Sequence, residues 1–313
     1  MPPIATVTAA LEADALWGAS SAGEHLVATL PSDPGERATD VFFHEAPLSI
    51  DRLGDAMLGR ANREDATLTG DTAAAELEDF AEAGGVLVVE LSSLAVGADL
   101  AARAGLEAAG GVRIVASAHA GEGPLAPRLG AGRAGVVVLG PGAGPEAREE
   151  AFGLAARGVP LMLDAAWLGE APGAPGLHEL LDDAAAAGVP SDRLAVLGAR
   201  SLAHRPDALA ELAARGVYLH FGSLGRIPSV YTEVSDHDVA VALAALVEAG
   251  HGERLLLAAG LDRRHALRAY GGHGLGFLPR QFLPYLGFVG IGADAARALA
   301  SENLVRFLDW SRP

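Results

Sequence analysis

Two residue types are missing altogether. The chain has no cysteine, and all 23 of its basic residues are arginine, so lysine is absent as well. Without Cys there are no disulfides, no thiol catalysis and no thiolate-ligated zinc. The redox compartment therefore cannot be read. Without Lys there is no Schiff-base nucleophile and no carbamylated-lysine metal bridge. Aromatics are scarce at 5 %, although half of the residues are apolar. The core must therefore be built mainly of Ala, Val and Leu. Positive charge is in short supply: 23 basic residues face 40 acidic ones, a formal charge of −17. Such a surface argues against a phosphate-backbone partner and against adhesion to an anionic membrane. No run of 18 uncharged apolar residues occurs, so no segment is predicted to span a membrane. Residues 1–17 lack the basic and apolar regions of a secretory signal, and a cytoplasmic location is expected.

What is present is a rhythm. Short runs of Val, Leu and Ile at 86–91, 112–117, 135–139, 159–164, 194–198, 217–221 and 254–259 are apolar nearly throughout. That pattern is expected of strands covered on both faces. Gly85, Gly111, Gly158 and Gly216 each stand at or just before such a run, as glycines that end a helix and release the chain into a strand. Helices are predicted between the runs. One starts at Pro145-Glu146 and ends by Gly158, and one is capped by Ser235 with Asp238 three positions on. Another is capped at Asp71 or Thr72, and two more fill 175–188 and 207–216. With a further unit near 18–26, eight βα units fit a single-domain (β/α)8 TIM barrel of the α/β class better than an open sheet. Residues 1–313 are expected to form that one domain. Residues 27–70, where no clear strand is visible, are expected to be an insertion over one barrel end.

Two segments carry a more specific signal. The first is W-G-A-S-S-A-G-E-H-L at 17–26. The second is L-L-L-A-A-G at 255–260, followed by L-R-A-Y-G-G-H-G at 267–274, Phe282-Leu283-Pro284 and Glu302-Asn303. They resemble, in order, the G-x-T-L-x-H-E-H-L first strand and the L-L-S-H-D, L-R-A-Y-G-G-x-G-Y, F-I-P and E-N-P motifs of the phosphotriesterase family of the amidohydrolase superfamily. Shorter stretches at 111–117, 134–139, 158–160 and 212–216 also align, so the likeness spans most of the chain. It implies a (β/α)8 barrel, and it makes a homodimer an expectation.

The resemblance also implies a two-metal centre at the barrel mouth, in which the metals polarise an ester oxygen and hold a bridging hydroxide. Carried over position by position, the ligands are mostly replaced. The first His of H-x-H is Gly23, and only His25 remains. The bridging Lys position is Val138, the strand-five His is Asp164, the strand-six His is Ala199 and the strand-eight Asp is Gly260. A degenerate metal site is the expectation, with no cofactor. A single zinc would need about three protein ligands, which only His25, Asp164 and Glu90 together could supply.

The polar residues predicted at strand C-termini are His25, Glu90, His119, Asp164 and Arg200, and in a barrel those ends face the active-site side. His25 is the candidate acid or base, with Asp164 fixing its tautomer. Glu90 is a second carboxylate, or else a buried structural acid bonded to backbone or to an arginine. Arg200 could anchor an anion or pair with an acid on the rim. His119 is a candidate binding residue that also reads as a surface-loop histidine. Tyr218, His220 and Tyr231 are placed near the pocket. The Gly140–Pro145 stretch reads as a connection rather than a phosphate cradle, and the glycines of 270–274 read as close packing. The combined expectation is a phosphotriesterase-like barrel with a small-molecule pocket, doing metal-independent acid/base chemistry of isomerase, lyase or cyclase type. The alternatives are a non-catalytic pseudoenzyme acting by binding, and a residual single-metal hydrolase of an ester, lactone or phosphoester. The partner expected is a small organic molecule, with no nucleic acid and no membrane.

Overall fold

The computed structural model describes residues 4–12, 14, 16–164, 175–230 and 232–311. Eight parallel strands follow one another around a barrel in sequence order: β1 (Ala19–Glu24), β2 (Gly85–Glu90), β3 (Arg113–His119), β4 (Ala134–Leu139), β5 (Leu161–Leu163), β6 (Leu194–Val196), β7 (Tyr218–Phe221) and β8 (Leu255–Leu257). Each predicted strand is present, most of them trimmed at one or both ends. Helices α1 (Gly70–Glu82), α2 (Leu100–Gly110), α3 (Pro145–Ala155), α4 (Pro175–Ala186), α5 (Pro206–Ala214) and α6 (Asp236–Glu248) lie between strands. Among the described residues no helix is long and apolar enough to cross a membrane.

Local chemistry explains the helix starts. Ser235 caps α6 through a reciprocal box with Asp238, as expected from the sequence. The cap of α1 is instead Thr69, boxed with Thr72, two residues before the predicted Asp71. The hydroxyl of Thr72 serves here in place of a carboxylate. The predicted insertion also contains two strands too short to be read from periodicity. Ala28–Thr29 pairs antiparallel with Thr67–Leu68, and two helices between them pack a small core of Phe43, Leu48 and Ala56.

The barrel interior is filled by side chains such as Leu87, Val89, Val115, Val136, Val138, Met162 and Leu256. At the N-terminal end of the strands Phe307 closes it, with its ring 5.1 Å from that of Tyr218. Asn303 fixes this closing segment by donating to the carbonyls of Gly252 (2.8 Å) and Leu255 (2.9 Å) at the start of β8. That is the structural use of the Glu302-Asn303 motif. Gly272 is required by contact, since a Cβ there would meet the carbonyl oxygen of Ala266 at 2.3 Å.

β1 and β8 are not joined by a ladder. They are stitched by a side chain. The carboxyl of Glu24 accepts from the amides of Gly260 (3.0 Å) and Leu261 (2.6 Å) and is hydrogen-bonded to the Ser21 hydroxyl. Ser21 Oγ also accepts from the Ala259 amide at 3.1 Å, and the His25 amide donates to the Leu261 carbonyl at 2.9 Å. Glu24 is completely buried, and loss of hydration raises its pKa from 4.5 to about 7 despite these donors.

Candidate functional site

Strand C-termini and the loops after them enclose a cavity of about 720 Å³ at the barrel mouth. Its walls include Gly23 in β1 and His25 just after it, Leu91 after β2, Leu197, Gly198, Arg200 and Ser201 after β6, and His220, Gly222, Ser223 and Arg226 on and after β7. Gly260 and Asp262 close it after β8.

His25 is held through its ring. Nδ1 lies 2.9 Å from the Ser92 hydroxyl, which leaves Nε2 as the unused nitrogen of a cavity-lining residue. Ser92 is itself fixed from below, because its amide donates to Glu90 Oε1 (3.3 Å) and its carbonyl accepts from Arg103 (2.8 Å). Glu90 and Arg103 form an ion pair with both side chains almost fully withdrawn from solvent. Burial raises the pKa of Glu90 and the arginine opposes that rise. Glu90 thus acts as the buried structural acid and reaches the site through Ser92 and through the Leu26 amide, which donates to it at 3.3 Å. Burial also lowers the His25 pKa to about 4, with partial compensation from the charge of Asp262. Asp262, not Asp164, is the carboxylate whose field reaches His25 most strongly. Asp164 follows β5, where its amide donates to the Leu139 carbonyl and its side chain lies beside Gly140. Its charge acts on His119.

Three other expectations need correcting. His119 is not a surface-loop histidine: it ends β3 with Nε2 2.8 Å from the Leu91 carbonyl and 3.2 Å from the Ser117 hydroxyl. Those contacts occupy it, and burial lowers its pKa. Tyr218 begins β7 at the opposite end of the barrel and belongs to the core against Phe307, because a strand's first residue lies far from the mouth. Arg200 is no free anion anchor. It donates to the carbonyls of Ser223 (3.0 Å) and Val234 (2.6 Å) and to Asp236 (2.7 Å), so it clamps the loop after β7. Tyr231 lies outside the described residues.

His220 does line the cavity. It is 6 % exposed, and neither ring nitrogen has a hydrogen-bond partner among the described residues. Burial lowers its pKa to about 4. The glycines around it explain how the ring fits: a Cβ on Gly23 would sit 2.9 Å from His220 Nε2, and one on Gly222 would sit 2.8 Å from its Cε1. Ser223, two residues after β7 ends, is the only non-glycine among the described residues with a positive φ, at 56°. Its amide would lie 2.6 Å from a Cβ on Gly260.

These contacts bear directly on a two-metal centre. At Gly23 the imidazole of His220 fills the space a ligand side chain would enter. At Gly260 the backbone of Ser223 fills it, in a left-handed conformation (φ 68°) that disfavours any side chain. Val138 is buried in the barrel, and Ala199 is buried in the turn after β6. Among the described residues no group of three or more His, Asp or Glu side chains is placed to share an ion. The residues present do not fit a two-metal centre.

The signals missed in the sequence were Ser92, Ser223, Arg226 and Asp262. Asp262 stands only two positions beyond the strand-eight motif, where a second acid was open to reading. Ser223 carried no signal, since its strain arises from the packing of two loops.

Comparison with known proteins places the chain. Residues 179–308, from α4 through the C-terminal helices, match the profile of the phosphotriesterase family. A phosphotriesterase-related protein of Drosophila grimshawi is 27 % identical over 111 residues, which cover 34 % of this chain and 32 % of that protein. The matched stretch thus spans about a third of that curated relative. A solved structure described as a resiniferatoxin-binding protein from Rhodobacter sphaeroides is 26 % identical, with a TM-score of 0.84 over 100 % of this chain and 96 % of that one. A lactonase from Listeria monocytogenes superposes with a TM-score of 0.70 at 17 % identity, covering 98 % of each chain. At that identity the likeness is one of fold.

Proposed function

We propose that the chain is a phosphotriesterase-family barrel whose mouth is a metal-independent pocket for a small, uncharged organic molecule. The observation that carries this reading is the filling of two ligand positions by the protein itself: the His220 ring stands against Gly23 and the Ser223 backbone against Gly260. The cavity is of the size that small-molecule sites occupy, with apolar walls at Leu91, Leu197 and Val234 and a few polar groups. Its arginines are already paired, Arg200 with Asp236 and Arg226 with Asp262 at 2.7 Å, so an anion gains little there. The solved relative described as resiniferatoxin-binding supports a family barrel that holds an organic ligand.

Acid/base catalysis by His25 is the second reading, favoured by the orientation Ser92 imposes on its ring. In it Ser92 takes the orienting role assigned from sequence to Asp164, and the charge of Asp262 favours protonation of the ring. Burial weakens His25 as a base, because a group with a pKa near 4 accepts a proton far less readily at neutral pH than an ordinary imidazole.

The test is metal analysis of protein purified without chelator, combined with thermal-shift screening of neutral and anionic organic compounds with and without EDTA. Chelator-insensitive stabilisation by neutral compounds is expected. Two stoichiometric metal ions, or hydrolysis abolished by EDTA and restored by metal, would overturn the proposal.

A further inference from the structure

Three buried polar atoms at the mouth lack partners among the described residues: Nδ1 and Nε2 of His220 and Oδ1 of Asp262. All three belong to residues that line the same cavity. Leaving a buried polar group unpaired forfeits its hydration without replacement. Three on residues that line one cavity mark a surface complementary to something outside the chain. From this pattern we infer that the occupant is an uncharged organic molecule carrying at least two hydroxyls, hydrogen-bonded to His220 and Asp262. The inference rests on the reading of the mouth as an organic pocket and specifies its ligand.

The complementarity follows from donor and acceptor counts. A neutral imidazole offers one N–H and one lone pair, so it is satisfied by one acceptor and one donor. Asp262 Oδ2 is taken by Arg226 (2.7 Å), and Oδ1 offers acceptance only. The ligand must therefore present at least one donor to the carboxylate, and both a donor and an acceptor within reach of the ring. Two hydroxyls supply both donors and, through an oxygen lone pair, the acceptor, whereas a single hydroxyl beside a carbonyl is one donor short. An anion brings acceptors where the site already has them and meets arginines that are engaged. A bare hydrocarbon leaves all three atoms unpaired.

The surroundings hold these groups rigid. His220 is wedged between Gly23 and Gly222. Ser223, two residues on, is held in its left-handed conformation by the Arg200 clamp on its carbonyl and by the close approach of Gly260. Strain maintained by several independent contacts at a cavity wall is characteristic of preorganised binding sites.

The experiment compares three diphenyl compounds of similar size by isothermal calorimetry. Hydrobenzoin carries two neighbouring hydroxyls, deoxybenzoin carries a carbonyl and no donor, and diphenylacetate carries a carboxylate. Hydrobenzoin is expected to bind at least tenfold more tightly than either. Asp262→Asn and His220→Phe should each weaken hydrobenzoin about tenfold, and Asp262→Asn should leave deoxybenzoin, which has no donor for the carboxylate, within about twofold, a tenfold change being about 1.4 kcal/mol. Equal binding of hydrobenzoin and deoxybenzoin by the native protein overturns the inference while leaving the organic pocket standing. Preference for diphenylacetate overturns it as well. Failure of all three to bind, repeated with a broader neutral library, overturns the pocket reading too. The native-protein comparison needs no variant to fold, so the test survives loss of His220→Phe to misfolding.

Discussion

The Glu24 stitch makes a quantitative prediction about pH. Glu24 is fully buried and its carboxyl titrates at about 7 in the folded chain, against 4.5 for an ordinary carboxyl. The folded state therefore binds more protons than the unfolded state between those values, and stability falls as pH rises through that window. The contribution is intact below 4.5, declines to about 7 and is constant above. The interval between 4.5 and about 7 corresponds to roughly 3 kcal/mol at about 1.4 kcal/mol for each tenfold step. Glu24→Gln removes the titration but keeps the shape. It turns one acceptor into a donor facing the Gly260 or Leu261 amide, a pH-independent cost of about 1–3 kcal/mol. The informative quantity is thus the slope of the difference, not its offset. Guanidinium unfolding of both proteins at intervals from pH 4.5 to 8 gives that difference directly, with all other titrating groups cancelling. The native protein should lose about 3 kcal/mol relative to Glu24→Gln over this range. A flat difference, or one that grows with pH, would refute the argument that burial outweighs the three backbone and hydroxyl partners.

The remaining predictions concern the mouth. Gly23→Ala should cost about 1–3 kcal/mol of unfolding free energy by overpacking against His220 Nε2 at 2.9 Å, and His220→Ala in the same chain should relieve most of it. Additive losses in that double variant would show that the two positions do not compete for space. Arg103→Met leaves Glu90 buried without its cation and should cost about 3–5 kcal/mol at pH 7, with a smaller loss near pH 4 where Glu90 is protonated. Denaturation midpoints at the two pH values check this. In a histidine NMR titration the ring of His220 should remain neutral down to about pH 4, so stability should rise with pH between 4 and 6.5 through this residue. An ordinary midpoint near 6.5 would mean that the ring is hydrated.

Much of the architecture was legible because barrel strands leave an unambiguous mark. Apolar runs such as 86–91 and 135–139 need both faces covered, and the glycines and prolines around them can act only as stops and starts. The motif at 255–274 carried the likeness to the phosphotriesterase family before any coordinate, and the replaced ligands could be read as letters: Gly23, Val138, Ala199, Gly260. The sequence could not say what fills the room those replacements release. That His220 leans over Gly23, that Ser223 presses on Gly260 and that the charge of Asp262 reaches His25 are interactions between residues dozens to hundreds of positions apart. They depend on strand register and loop packing, which no local pattern encodes. Tyr218 stands at the start of its run, which strand direction already places away from the mouth, whereas the burial of His119 depends on the loop after β2 that supplies the Leu91 carbonyl. Chain order and chemistry were thus the sequence's to determine, whereas hydration, pairing and pKa were decided only when the barrel closed, because burial is a property of all eight strands together.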